Sequence, residues 1–290
     1  MKKHAYLIMA HTDWSLFSKL LQTLDDPRND LYIHIDAKAD FPADDEYKPK
    51  FADCTYIQRK NISWGGDSIV KCELALLRSA HKVGYDYYHL LSGVDLPLKT
   101  QDEIHRFFDE NNGKNYLMID HNAMSLEVPC KRVKYYHFLQ NRIGRNEGPS
   151  IAMLRIAERL SLSLQKKLHL DRLRHCPWVI YKGAQWFSIT HEMVSEILSS
   201  VSFIKKYCYH SFAPDEIFLQ TVAMNSKLRD TIVLNYLRYI DWQRGSPYTF
   251  TSEDYDILME SNCFFARKFS DQVDSSITAR IVNEVTANVP

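Results

Sequence analysis

Hydrophobic and polar positions alternate between two rhythms along the first 120 residues. Residues 4–10, HAYLIMA, form a compact apolar run of the kind that makes a strand buried on both faces. Trp14, Phe17, Leu20, Leu21 and Leu24 then recur at helical spacing. Further apolar runs at 31–35 and 86–91, and a weaker one at 55–57, read as strands two, four and three. Between them, 68–83 reads as a helix, with Asp67 or Ser68 as its cap and Gly84 as its stop. Thr100 caps another helix running to about Asn111, and 116–119 is a strand again. This alternation predicts an α/β fold, a mostly parallel sheet covered by helices on both faces.

The second half is less regular. In the stretch 151–173, Leu154, Ala157, Leu160, Leu164 and Leu168 fall among Arg155, Arg159, Lys166, Lys167 and Arg172. It reads as a basic amphipathic helix or helix pair. The commoner arrangement packs the apolar side and solvates the basic one. The other lays the helix on an anionic membrane surface or against an anionic acceptor.

Composition narrows the function classes. Lys plus Arg equals Asp plus Glu at 36 each, so net charge makes no case for a nucleic-acid partner. Six cysteines lack C-x-x-C spacing, and no zinc site is expected. The apolar run after Met1-Lys2-Lys3 is too short for a signal peptide, so free thiols and a cytoplasmic location are expected. Aromatics reach 12%, enough either for an aromatic core or for faces that hold bases and sugar rings.

Polar signatures gather where the strands end: His11 and Asp13 after the first, Asp36 at the second, Ser92, Gly93 and Asp95 after the fourth. Sheets of this class bind ligands at the carboxyl ends of their strands, which favours a nucleotide-type site. Much later, 211-SFAPDEIFLQT-221 sets Asp215 and Glu216 just behind Pro214 at a helix start. There the helix dipole would favour ionised carboxylates, suited either to capping or to a general base.

Seven blocks together carry a resemblance: 34-HIDAK-38, 63-SWGGDSIV-70, 88-YHLLSGVDLPLKT-100, 183-GAQWFSIT-190, 211-SFAPDEIFLQT-221, 238-RYIDW-242 and 264-FFARKF-269. In this order they resemble the core-2/I-branching β-1,6-N-acetylglucosaminyltransferases and peptide O-xylosyltransferases, glycosyltransferase family 14. The chain is shorter than the animal enzymes and looks like a bacterial, cytosolic member. The resemblance implies a single GT-A-like domain with a Rossmann-type, mostly parallel mixed sheet. Residues 1–120 would form its nucleotide-sugar half and 121–290 its acceptor and catalytic half. It further implies inverting sugar transfer from a UDP-sugar, first of all UDP-N-acetylglucosamine with UDP-xylose behind it, without a metal cofactor. No Asp-x-Asp pair follows a strand here, in keeping with that.

Residue by residue, Glu216 aligns with the family's base, with Asp215 supporting or capping. Lys268 aligns with the lysine that contacts the diphosphate. The family's partner arginine has no counterpart in 244-RGSPYTFTSEDYD-256, which leaves Arg244 or Arg267 as substitutes. Asp36 and Trp64 align with the uracil-side aspartate and stacking aromatic, and Gly65 and Gly66 would let backbone approach the donor. Asp95 either accepts bonds from donor hydroxyls or caps its own turn. Trp242 aligns with the acceptor-side tryptophan. Trp186 is expected near it or in the core, and Arg132 and Lys134 line the acceptor cleft or form a solvated charge run. The partners implied are a UDP-sugar and a glycan or lipid-linked acceptor in bacterial surface polysaccharide synthesis, with peripheral contact with the cytoplasmic membrane also in view. A non-catalytic UDP-sugar or carbohydrate binder of the same fold is the rival reading. A metal-dependent nucleotidyltransferase would need paired acids at a strand end, which are missing.

Overall fold

A computed structural model describes residues 3–42, 48–120 and 127–287. Its strands are β1 His4–Ala10, β2 Asn29–Ile35, β3 Asp53–Tyr56, β4 Tyr87–Ser92, β5 Asp95–Pro97, β6 Asn115–Ile119, β7 Gly183–Thr190, β8 Ile232–Leu234, β9 Arg238–Ile240 and β10 Phe265–Arg267. Seven of them form one sheet in the order β3-β2-β1-β4-β7-β6-β8, and β5-β10-β9 form a small second sheet. The large sheet is mixed and mostly parallel: β3, β2, β1 and β4 run together, and β7 runs against both its neighbours. Strands from both halves of the chain share it. This is the mixed, mostly parallel α/β architecture expected.

Period-two geometry explains why β1 is apolar throughout. Ala5 and Leu7 face a core shared with helix α2 (Asp67–His81), while Tyr6 and Ile8 face the opposite core with helix α1 (Trp14–Thr23). Helix α3 (Gln101–Glu110) joins the α1 side. Thr100 and Glu103 form a reciprocal capping box at its start, as the S/T-x-x-E pattern requires. Helix α2 differs from expectation: Gly66 is its cap, and Asp67 lies inside its first turn, bonded to Lys71 and Asn141.

The later helices are α4 (Glu127–Lys134), α5 (Gln140–Ile143), α6 (Pro149–Lys167), α7 (His191–Ser199), α8 (Val201–Phe203), α9 (Phe218–Asn225), α10 (Tyr255–Met259) and α11 (Ser275–Thr286). The basic stretch at 151–173 is one helix ending at Lys167, and its orientation reverses the commoner arrangement. Its buried side chains are Glu158 and Gln165. Met153, Ile156, Leu160, Leu164 and Leu168 face outward. Arg172 is not on the basic face at all. It reaches the carbonyls of Val133, Lys206 and Tyr209 and stacks on Tyr136.

One tertiary latch positions the site. Asp13, in left-handed backbone at φ 55°, caps α1 through Leu16 N–H and also accepts from Ser270 Oγ (2.9 Å) and Asp271 N–H (3.0 Å). Asp271 in turn takes Lys19, Ser15 and Thr278. Phe269 N–H bonds Val94 O at 3.0 Å. The 264–271 segment is thereby fixed across the carboxyl end of β1.

Candidate active site

Strand order reverses between β1 and β4, and the crevice at such a switch point is where open α/β sheets take ligands. His11, just past β1, feels Asp36, Lys38, Arg267 and Lys268 at once. Burial lowers its pKa, Asp36 opposes, and the three cations add to the lowering. Three sequence-distant segments therefore meet at this end. Asp36 is buried and accepts Lys38 N–H at 2.9 Å, with the Lys38 ammonium 3.6 Å away.

Register explains Arg267. The antiparallel pairing of β5 with β10 sets it opposite Asp95, with Nε 3.8 Å from the carboxylate. Its guanidinium lies 4.0 Å over the Trp186 ring, and Nη1 is buried without a hydrogen-bond partner. Burial pushes its pKa down, and Asp95 pushes it back up. Asp95 is also buried and closes its own turn, accepting Ser92 N–H (2.8 Å) and Ser92 Oγ–H (2.6 Å). Of its two expected roles, this geometry matches the turn cap. Trp186 is buried beneath Arg267, whereas Trp242, just after β9, is 61% exposed. Arg244 pairs with Asp241 (2.6 Å) and Asp254 (2.8 Å) and stacks on Tyr248, so its guanidinium is already engaged.

A separate wall of charged side chains is built around Glu216. Ala213 turns into left-handed backbone (φ 48°, ψ 59°), and Pro214 opens a 3₁₀ turn, Pro214–Glu216. Ile217, at φ −127°, separates that turn from α9. This corrects the expectation that Glu216 rides in the first turn of the long helix and draws on its dipole. Two cations hold it instead. Arg132 Nη1 donates to Glu216 Oε2 at 2.6 Å, and Lys182 Nζ lies 3.7 Å from the same oxygen while bonding Asp120 at 2.6 Å. Lys134 leaves this group and faces Asp171 at 3.5 Å.

Behind Glu216 the environment changes sharply. Asp215 is buried, and burial followed by the Glu216 charge pushes its pKa up to about 7. The fully buried Glu73 of α2 lies near it, its pKa raised well above the usual range by burial and then by Asp215. Gln185 donates to Glu73 at 2.7 Å. Neighbouring acids thus have different characters: Glu216 meets solvent and cations, whereas Asp215 and Glu73 favour the neutral acid.

Phe212 joins this wall to the glycine loop. The Arg132 guanidinium lies over its ring at 5.6 Å, and Trp64 meets it edge-on at 5.7 Å. Ala213 N–H bonds Gly65 O at 2.8 Å. Trp64 is 45% exposed, with Arg145 4.7 Å over its ring. Gly65 adopts φ 70°, and a Cβ on Gly66 would stand 2.1 Å from Asn141 Oδ1. The glycines are thus required by protein packing, whatever else they touch. Lys182, Glu73 and Asn141 have no local signature in the sequence and come to the site only through folding. Among the described residues, no three His, Cys, Asp or Glu side chains converge as a metal cluster.

Comparison with known proteins agrees with the seven blocks. The human Xylosyltransferase 2 is 24% identical over 94% of this chain and 32% of its own length. Xylosyltransferase oxt of Drosophila pseudoobscura pseudoobscura is 26% identical over 91% of this chain and 31% of its own. The chain thus spans about a third of the length of these relatives. Among solved structures, HddC from Yersinia pseudotuberculosis aligns over 41% of this chain and 58% of its own, at 11% identity and a TM-score of 0.28. The Core-2/I-Branching enzyme family matches residues 4–261, nearly the whole chain, and the protein belongs to that family.

Proposed function

We propose that the protein is an inverting, metal-independent glycosyltransferase that moves a sugar from a UDP-sugar to a hydroxyl of a glycan or glycolipid. Glu216 takes the acceptor proton. The acceptor oxygen attacks the anomeric carbon from the face opposite the diphosphate, the carbon–oxygen bond to phosphate breaks, and its electron pair leaves on UDP. Lys268 and Arg267 neutralise that leaving charge. The unpartnered Nη1 of Arg267, against the engaged guanidinium of Arg244, favours Arg267 as the second diphosphate cation. Asp36 and Trp64 hold the uracil, and the open ring of Trp242 packs on the acceptor sugar.

The observation that carries the reading is the contrast between neighbours: a partly exposed Glu216 held by Arg132 at 2.6 Å, and a buried Asp215 that favours its proton. The named relatives are xylosyltransferases, which makes UDP-xylose the first donor to test, with UDP-N-acetylglucosamine second. The acceptor we propose is a surface polysaccharide or glycolipid reached from the cytosolic side. A second reading, a binder without turnover, is favoured by the same ion pair, because Arg132 and Lys182 both approach Glu216 Oε2, an oxygen a base would turn to the acceptor hydroxyl. A screen of UDP-sugars for hydrolysis and transfer, with and without EDTA, decides. Turnover that survives the chelator supports the transferase. UDP binding with no turnover on any donor supports the binder, and turnover abolished by EDTA overturns metal independence.

A further inference from the structure

Helix α6 is built inside out for a water-facing helix. The side chains it buries are polar and specifically engaged. Gln165 accepts Tyr136 N–H (2.8 Å) and donates to Tyr136 O (2.9 Å). Glu158 accepts Leu139 N–H (3.1 Å) and contacts His137 Nδ1 (3.3 Å). The outward side chains are large and apolar: Met153 is 71% exposed, Leu160 66% and Leu168 68%, with Ile156 and Leu164 completing the row. Steps of three and four residues put all five on one stripe. Contiguous exposed apolar surface of this kind marks an interaction site rather than a solvated face.

Charge identifies the partner. Arg155, Arg159 and Lys166 follow one flank of the stripe and Lys167 sits beside it, all exposed. The helix has one acid, Glu158, and that is turned inward. Apolar residues in a row with a cationic flank and no exposed anion match the headgroup boundary of an anionic lipid bilayer. A second copy of the chain fits less well, because pairing two such faces sets cation beside cation with no acid to offset them. No helix among the described residues is long and apolar enough to cross a membrane, so this contact would be peripheral. We propose that the α6 face docks the protein on an anionic phospholipid surface, its apolar row entering the headgroup layer and its basic flank meeting lipid phosphates. The grip of Gln165 on Tyr136 ties the docked helix to the segment that carries Arg132.

Flotation of the full chain with vesicles tests this. The native protein is expected to float with mixed phosphatidylcholine–phosphatidylglycerol vesicles at low salt, to be released at high salt, and to stay behind with pure phosphatidylcholine. Leu160→Glu with Leu164→Glu should cut the floated fraction at least tenfold. Its melting temperature should not change, since both side chains already face outward. Arg155→Gln with Arg159→Gln and Lys166→Gln should keep the stripe yet lower the salt needed for release. Failure of the native chain to float with anionic vesicles, or equal flotation of the double-glutamate variant, overturns the proposal. A concentration-dependent dimer in light scattering that the double-glutamate change abolishes also overturns it, and assigns the face to a second copy.

Discussion

Arg132 Nη1 stands 2.6 Å from Glu216 Oε2, the shortest of the contacts that hold Glu216 in place. A carboxylate so held is oriented, and it must be released in part before it can take a proton. Glu216→Gln should keep the fold and UDP binding and lower turnover by about a hundredfold to ten-thousandfold. Arg132→Ala should lower kcat/KM by roughly ten- to hundredfold through misplacement of the base. Near-normal turnover in Glu216→Gln would return that residue to a structural role. The check is steady-state transfer kinetics beside a UDP thermal shift.

Stability should carry the signature of Asp215. Folded Asp215 keeps its proton to about pH 7, whereas an unfolded aspartate gives it up near pH ~3.9. Over that interval the folded chain binds more protons, so this group's contribution is full below the unfolded value and is lost as pH rises through the folded one. Glu73 shifts in the same direction. Asp215→Asn should therefore flatten the decline of melting temperature between these two pH values. Parallel curves for the two proteins would show that Asp215 is not held protonated.

Donor binding should separate the basic residues. Lys268→Ala should weaken UDP binding by about 1.5–3 kcal/mol, the usual worth of a hydrogen bond to a charged group. Arg244→Ala should leave UDP affinity unchanged, because Asp241 and Asp254 already engage its guanidinium. Calorimetric titration reads both, and a large loss in Arg244→Ala would redraw the diphosphate site.

Gly66→Ala should destabilise the protein by about 1–3 kcal/mol, as overpacking does. The new Cβ would meet Asn141 Oδ1, 2.1 Å away before relaxation. In urea unfolding, the combined Gly66→Ala, Asn141→Ala variant should lose less than the sum of its parts. Strict additivity would mean that the loop relaxes without cost.

Strands β1, β2 and β4 were readable because buried parallel strands are continuous apolar runs, and α3 because its cap is written in four residues. Strands β5, β8, β9 and β10 are three residues each, too short for any period to show, and exist through their partners. Lys268 stood out only through the family blocks, whereas Glu216 stood out locally as an acid behind Pro214 and needed the blocks to favour a base over a cap. Lys182 and Glu73 stood out by no means, since what matters about them is a contact across more than thirty residues. Periodicity found Leu160, Leu164 and Leu168 of the outward row but joined them to the half-buried Leu154 instead of Met153 and Ile156, and could not say which side faces in. The hydrogen bonds that Glu158 accepts from Leu139 and Gln165 makes to Tyr136 decided that, against the usual preference for burying leucine.

The latch from Asp13 to Ser270 and Asp271 has a consequence for biosynthesis. A nascent chain that has emerged as far as α9 already carries Glu216, the proposed base, while Arg267 and Lys268, the proposed diphosphate cations, still have to follow it.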